Sequence, residues 1–184
     1  MAQDKTYSVR WYGPFESIEE IKNFEKQNQE IKCHLYIING YKPKARYSSY
    51  YCGKTQRGIN NRLTDANHHI NDCNRISSIW IGSITSVEEL TGKDINVVEK
   101  IVTAQLQEIY GSRFILNETN TLFPKYNVYV LNFWCKKDCS RYSRYKQYTI
   151  PAEIPDVIGH EYEKAIDAHR LFSAGKIRWW YKMD

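Results

Sequence analysis

The sequence lacks the segments that would anchor a protein in a membrane or export it. No stretch of eighteen consecutive apolar residues occurs in its 184 residues, so we expect no membrane-spanning helix. The first residues contain no apolar segment of the secretory kind, so we expect no signal peptide. The five cysteines are scattered and odd in number, which favours free thiols in a reducing cytoplasm: Cys33, Cys52, Cys73, Cys135 and Cys139.

Several common functional motifs are also missing. The chain has neither of the usual glycine-rich phosphate-binding loops and no Gly-x-Ser-x-Gly nucleophile turn, which disfavours the common nucleotide-binding and serine-hydrolase folds. Cys135 and Cys139 could bind zinc together with His160 and His169, but their spacing matches no common structural zinc site.

What the sequence does contain is enough apolar surface for one folded domain and a local excess of positive charge. Apolar residues make up 42% of the chain and aromatic residues 14%, which excludes disorder. The net charge is only +5, but residues 40–64 hold six basic and no acidic residues. Residues 125–148 hold six basic residues and one acidic residue. Two such patches suggest contact with a polyanion, and two solvated loops are the alternative.

Patterning predicts a mixed α+β domain. Ser17 and Glu20 form a capping-box pattern at the start of the first helix, and Gly111 is a stop signal for the third. Strands are predicted over 34–38, 49–53, 76–84 and 126–134, the first two forming a hairpin. Helices are predicted over 17–30, from Gly58 onward, over 94–110 and over 156–174.

One ordered set of residues resembles a known family. Tyr36 lies in the first hairpin strand, the run Tyr51-Cys52-Gly53-Lys54-Thr55 closes the second, and Arg62, Glu99 and Asn117 follow. Over residues 33–122 this order resembles the GIY-YIG nuclease superfamily. His34-Leu35-Tyr36 represents the first half of the family signature and Tyr51-Cys52-Gly53 the second.

The chain departs from the family pattern at several positions. His34 and Leu35 replace the first glycine and isoleucine, and Cys52 replaces the second isoleucine. Many members carry a histidine four residues after the arginine, where this chain has Ala66. Whether His34 or His68 takes part in proton transfer therefore stays open.

The resemblance implies a fold and a division of the chain. The expected fold is α+β, with a small three-stranded mixed or antiparallel sheet flanked by helices in the order ββαβα. An N-terminal helix and a C-terminal strand–helix extension would surround it. Residues 1–32 would be the N-terminal helical extension, 33–122 the catalytic core and 123–184 a basic, aromatic extension for DNA contact or dimerisation.

The resemblance also implies a chemistry. Family members hydrolyse phosphodiester bonds with one Mg²⁺ (or Mn²⁺) per active site, and Glu99 would be its ligand. Arg62 would bind the phosphate, because its guanidinium matches phosphate oxygens. Tyr36 would orient or deprotonate the attacking water with support from Tyr51, and Asn117 would buttress the site.

Double-stranded DNA is the expected partner, bound by a homodimer or higher homo-oligomer that cuts both strands as type II restriction enzymes do. Residues 141–148 alternate basic and aromatic side chains, which suits contact with phosphates and sugars. Two alternatives stay open: a structure-specific or mobile-element nicking nuclease, and an inactive nucleic-acid-binding module. The residues expected to contact DNA, on one common side, are Lys42, Lys44, Lys54, Arg57, Arg141, Arg144 and Lys146.

Overall fold

The structure is a computed structural model that describes residues 4–87, 89–117, 123–142 and 154–174. Its helices are α1 (Ile18–Gln27), α2 (Ile59–Leu63) and α3 (Gly92–Tyr110). Its strands are β1 (Lys5–Phe15), β2 (Leu35–Tyr41), β3 (Ser49–Lys54), β4 (Arg75–Ile84), β5 (Val128–Cys135), β6 (Val157–Glu163) and β7 (Ala168–Ala174). Within these ranges no helix is long and apolar enough to cross a membrane.

All seven strands join one sheet, in the order β3-β2-β4-β1-β5-β6-β7. Neighbouring strands are antiparallel except β1 and β5, which are parallel. The α+β class is therefore confirmed, and the predicted β2–β3 hairpin is present. The expected small three-stranded sheet is wrong, because β2, β3 and β4 form only one end of a seven-stranded sheet.

The sheet is larger than expected in part because β1 lies within residues 1–32, which were predicted to be an N-terminal helical extension. Tyr7, Val9 and Trp11 alternate with more polar residues, and all three are buried. This period-two pattern places one face of β1 on the core while its two edges pair with β4 and β5. Strands from all three predicted segments of the chain therefore share one sheet, and the segment boundaries themselves stay a prediction.

The helix predicted over 156–174 is also wrong, since this region forms the β6–β7 hairpin. Ile158 and His160 lie on one face of β6 and are buried, while Asp167 has a φ of 47° in the connecting turn. Strand β6 pairs with the open edge of β5 from Val157 to His160. Pairing with an available sheet edge therefore overrides the helical pattern.

Helices α1 and α3 form where predicted, with small differences at their first turns. The Ser17 hydroxyl accepts the backbone N–H of Glu20, which is one half of the predicted capping box, whereas the Glu20 carboxylate accepts the N–H of Glu16 at 2.9 Å. In α3 the cap is Thr91 rather than Asp94, and the Asp94 side chain completes the box from the third helical position. The Tyr7 hydroxyl donates a hydrogen bond to the buried Asp94 carboxylate at 2.6 Å. This bond connects the start of α3 to β1.

The sheet lies between helices on both faces. Helix α3 packs Val98, Val102 and Leu106 on the face that carries Leu35 and Ile37 of β2. Helices α1 and α2 cover the opposite face, which carries the next residues of the same strand. Because side chains alternate along β2, Tyr36 points to the α1–α2 side.

Three glycines of the sheet each lie directly opposite an aromatic residue on the next strand. The pairs are Gly53 with Tyr36, Gly82 with Trp11 and Gly159 with Phe172. A Cβ atom on any of these glycines would overlap the facing ring. Each aromatic ring therefore lies over the glycine backbone, an arrangement that compensates for the missing glycine side chain in a sheet.

Candidate functional site

The β2–β3 hairpin brings the two predicted tyrosines together. Tyr36 is fully buried and lies opposite Gly53, and the centroids of the Tyr36 and Tyr51 rings are 5.9 Å apart. Tyr51 is partly exposed. The second glycine of the signature therefore has a physical role here, because only a residue without a Cβ leaves room for the Tyr36 ring.

His68 completes this cluster. Its Nε2 lies 2.7 Å from the Tyr36 hydroxyl oxygen, and its Nδ1 accepts the backbone N–H of Ile70 at 3.0 Å. An Nδ1 that accepts carries no proton, so in the neutral ring the proton sits on Nε2. His68 therefore donates to the Tyr36 oxygen, which leaves the Tyr36 proton free for a different acceptor.

The pKa values of the cluster agree with a neutral His68 and protonated tyrosines. Burial, with the neighbouring Arg62 and His69, lowers the pKa of His68 to about 4, so the ring is neutral at pH 7. Burial raises the pKa of Tyr36 and that of Tyr51. The two hydroxyl groups also affect each other, since Tyr36 lowers the pKa of Tyr51 and Tyr51 raises that of Tyr36. The geometry therefore joins His68 to the Tyr36 oxygen, and the Tyr51 ring lies beside that of Tyr36.

Arg62 lies on α2 beside the two tyrosines, and its positive charge offsets part of the rise that burial causes in both tyrosine pKa values. Its Nη1 donates to the Asp65 carboxylate at 2.7 Å, and Arg57 binds the same carboxylate. The side chain of Arg62 is 36% exposed. Part of the guanidinium is thus anchored while the side chain still reaches solvent.

Glu25 of α1 holds α2 in position. Its carboxylate accepts the backbone N–H groups of Ile59 at 2.7 Å and Asn60 at 3.3 Å. The residue at the α2 cap position, Gly58, offers no side chain for this purpose. The short helix that carries Arg62 is therefore capped from a neighbouring helix, where a negative charge is also favourable.

Glu99 lies at the same end of β3 but on the α3 face of the sheet. Its Oε2 is 3.1 Å from the Lys54 Nζ, and only 15% of its side chain is exposed. The negative charge of Glu99 raises the pKa of Tyr51, which puts the two side chains within electrostatic range across the strand. The hairpin end thus combines a tyrosine–histidine cluster on one face with a carboxylate on the other.

Asn117 closes the open edge of β3. Its Oδ1 accepts the Cys52 N–H at 3.0 Å, and its Nδ2 donates to the Cys52 carbonyl at 2.5 Å. Leu116 also donates its N–H to the Tyr50 carbonyl at 2.8 Å. The segment therefore extends the backbone ladder beside the strand that carries Tyr51.

The structure does not bring all predicted DNA-binding residues together. Lys54 and Arg57 lie at the site end of the β2–β3 hairpin, whereas Lys42 and Lys44 lie in its loop at the other end. Arg141 follows β5 and stacks on Phe133, with its guanidinium 4.8 Å from the ring centroid. Arg144 and Lys146 fall outside the described residues, as does most of the 141–148 segment.

The donor set at this end is compatible with Mg²⁺ only as a minimal site. No group of three or more His, Cys, Asp or Glu side chains with metal-binding geometry occurs in the described residues. Mg²⁺ commonly uses one or two carboxylates, with water and substrate phosphate as its other ligands. Glu99 alone meets that requirement, provided that the Lys54 ammonium moves aside or shares the carboxylate.

Sequence reasoning did not assign roles to three residues of the site: His68, Asp65 and Glu25. His68 follows the second signature half by fifteen residues, and no local pattern marks it as a partner of Tyr36. His34, the other open candidate, places its Nδ1 3.2 Å from the Thr55 carbonyl. Asp65 lies three residues after Arg62, which is the spacing of a helical ion pair and was the one available signal.

Two short motifs lie at this site, His34-Leu35-Tyr36 and Tyr51-Cys52-Gly53. Those motifs cover three residues each, so their resemblance to the GIY-YIG pattern stays a prediction. Comparison of the chain with protein-family models, with curated proteins and with solved structures finds no match.

Proposed function

We propose that this protein is a nuclease of the GIY-YIG type that hydrolyses phosphodiester bonds in DNA with Mg²⁺ or Mn²⁺. The observation that carries the proposal is the cluster of Tyr36, Tyr51, His68 and Arg62 at one end of the β2–β3 hairpin. Hydrolysis of a phosphodiester needs a positioned water and positive charge at the phosphate, and a hydroxyl group and a guanidinium can supply these.

Tyr36 and Tyr51 differ in their access to solvent. Tyr36 is buried and its pKa is raised, so it stays protonated at neutral pH and serves as a donor rather than as a base. Tyr51 is the partly exposed member, and its ring centroid lies 5.9 Å from that of Tyr36. In the proposed reaction Tyr51 orients the attacking water.

Arg62 binds the phosphate. Asp65 fixes one nitrogen of its guanidinium, and the exposed remainder donates to phosphate oxygens as negative charge develops on them. Glu99 is the residue that would hold the metal ion, with water and the substrate phosphate. A bound divalent ion would supply charge stabilisation at the phosphate and lower the pKa of a bound water.

A non-catalytic nucleic-acid-binding module is the second candidate. The ion pair between Lys54 and Glu99 favours it, because the ammonium already neutralises the carboxylate that would bind the metal. On this alternative the same Arg62, Arg57 and Lys54 would contact phosphates without cleavage.

Cleavage of supercoiled plasmid in Mg²⁺ tests the proposal. We expect Glu99→Gln and Arg62→Ala each to lower the cleavage rate at least about 100-fold, the effect of removing one transition-state contact. Glu19→Gln on α1 and Arg170→Ala on β7 are exposed controls that should cleave like the wild type. DNA binding without cleavage in Mg²⁺ or Mn²⁺ would favour the binding module, and full activity of Glu99→Gln would refute the metal assignment.

The digestion pattern separates the possible kinds of nuclease. Discrete fragments from phage DNA would indicate a site-specific enzyme that cuts both strands, for which a dimer or higher oligomer is proposed. Conversion of plasmid to the nicked circle alone, or cleavage only of branched substrates, would indicate a nicking or structure-specific enzyme.

A further inference from the structure

A concave surface separate from the candidate site lies on the α3 face of the sheet, at the end of the β2–β3 hairpin away from Lys54. It is a cleft of about 360 Å³, within the size range of small-molecule sites. Tyr50 and Tyr110 form its floor, with ring centroids 4.0 Å apart and planes 14° from parallel. The loop between β2 and β3 and the C-terminal end of α3 form its walls.

Exposed apolar side chains are concentrated at this cleft. Three large apolar residues of the described chain are exposed, and two of them, Tyr47 at 59% and Ile109 at 36%, line the cleft. The Tyr47 ring meets Phe114 edge to face, with centroids 6.0 Å apart. An exposed aromatic group of this kind in a concave surface indicates a binding site.

Arginines surround these rings. The guanidinium of Arg46 lies 5.6 Å from the Tyr47 ring centroid, that of Arg75 4.1 Å from Tyr41, and that of Arg113 4.5 Å from Phe114. Among the described residues none of these three guanidiniums forms an ion pair with a carboxylate. Lys42 and Lys44 add positive charge from the loop, and Glu108 is the acidic residue next to the cleft on α3. The cleft therefore pairs aromatic faces with uncompensated positive charge.

The cleft lies on the same sheet face as Glu99, at a definite distance from it. Ten residues of α3 separate Glu99 from Ile109, which is about 15 Å at the rise of an α-helix. Four residues of β3 separate Lys54 from Tyr50, which is about 13 Å along a strand. Both measures place the cleft a few nucleotides from the Lys54–Glu99 pair.

We infer that this cleft binds an unpaired base of single-stranded DNA, with the neighbouring phosphates on Arg46, Arg75 and Arg113. Every base presents a flat face that stacks on Tyr47, and arginine adds both stacking and phosphate contacts. That this strand is also the substrate cleaved at the Glu99–Arg62 site rests on the proposed nuclease function. The substrate is then a DNA with a single-stranded segment beside the scissile bond, such as a flap, an overhang or a branch.

A second copy of the chain is a poorer occupant of this surface. A twofold contact through the cleft would bring the same arginines of both copies against each other. Like charges at that separation oppose association, whereas the phosphates of a nucleic acid are complementary to them.

Fluorescence anisotropy in EDTA tests the inference without cleavage, using a short labelled single strand and the blunt duplex of the same sequence. We expect Tyr47→Ala to raise the Kd for the single strand about tenfold, the effect of removing one stacking ring. Tyr47→Phe keeps the ring and should bind within twofold of the wild type. Arg170→Gln, an exposed arginine on β7, should change neither Kd, and the duplex Kd should change less than threefold for every variant.

Unchanged single-strand binding by Tyr47→Ala would overturn the inference, and so would an equal loss on the duplex. A dimer that Tyr47→Ala converts to a monomer, with DNA binding retained, would identify the cleft as a contact between copies and would also overturn it. Because the assay contains no metal, failure of the wild type to cleave any DNA would remove the proposed function while leaving this binding result intact.

Discussion

Substitution of Gly53 by alanine tests the packing on which the candidate site depends. A Cβ at position 53 would overlap the ring of Tyr36, whose Cε2 would be 2.6 Å away. Tyr36 is fully buried, and its hydroxyl is held at 2.7 Å by His68, so the ring cannot move without losing that bond. Gly53→Ala should therefore disturb the tyrosine–histidine cluster directly.

The magnitude follows from two contributions. Overpacking of a well-filled core costs about 1–3 kcal/mol. Loss of the buried hydrogen bond between Tyr36 and His68 adds about 1–3 kcal/mol. We therefore expect Gly53→Ala to lower the free energy of unfolding by about 2–6 kcal/mol, a large share of the 5–15 kcal/mol that is usual for a domain.

A double-mutant cycle separates this clash from other effects. Tyr36→Ala alone should cost about 3–5 kcal/mol, as for other large buried rings. In that background Gly53→Ala should be neutral or stabilising by up to about 1 kcal/mol, since the ring it would meet is gone. The assay is urea unfolding followed by tryptophan fluorescence. Gly92→Ala is the control, because its closest neighbour is the flexible end of Gln56. Equal costs of Gly53→Ala in both backgrounds would refute the packing described here.

Two further predictions concern residues that position the site. His68 has a lowered pKa in the folded chain, so the unfolded chain binds more protons and stability should fall as the pH drops from about 6.5 to about 4. His68→Gln should reduce that loss of stability by up to about 3 kcal/mol. The measurement is the free energy of unfolding at pH 7 and at pH 4.5. An unchanged difference between the two pH values would contradict the burial of a neutral ring. Glu25→Ala should lower the free energy of unfolding by about 1–2 kcal/mol, because the first turn of α2 loses its cap. Glu19 also lies on α1 but is exposed, and Glu19→Ala should lower the free energy of unfolding by less than about 0.5 kcal/mol, both measured by thermal unfolding. Similar losses for the two glutamates would rule out the cap.

The helix predicted from Gly58 onward is only partly correct. The spacing of Ile59 and Leu63 correctly predicts a helical start there, and both residues are buried. The helix ends at Leu63, and the chain is extended at His68 before a further short turn. This interruption turns the His68 ring toward Tyr36. Periodicity could not reveal it, because the contact joins residues 32 positions apart.

The arrangement of the site on two faces of the sheet could also be predicted only in part. The prediction of one cluster around the hairpin came from the resemblance to the GIY-YIG pattern, which rests on the order of these residues: Tyr36, Tyr51, Arg62, Glu99 and Asn117. The division of that cluster between two sheet faces follows from strand alternation once Lys54 is known to face α3. The ion pairs of Arg62 with Asp65 and of Lys54 with Glu99 depend on which charges the fold brings close.

The sequence by itself determined the elements whose signals are local: the capped helix α1, the β2–β3 hairpin, strand β4 and the long apolar stripe of α3. It also determined which reactive side chains the chain carries. Only the tertiary structure decided that β1 inserts between β4 and β5, and that residues 157–174 form a hairpin on β5. The physical reason is that a strand is stabilised by hydrogen bonds to whichever sheet edge is free, and that edge lies far away along the chain.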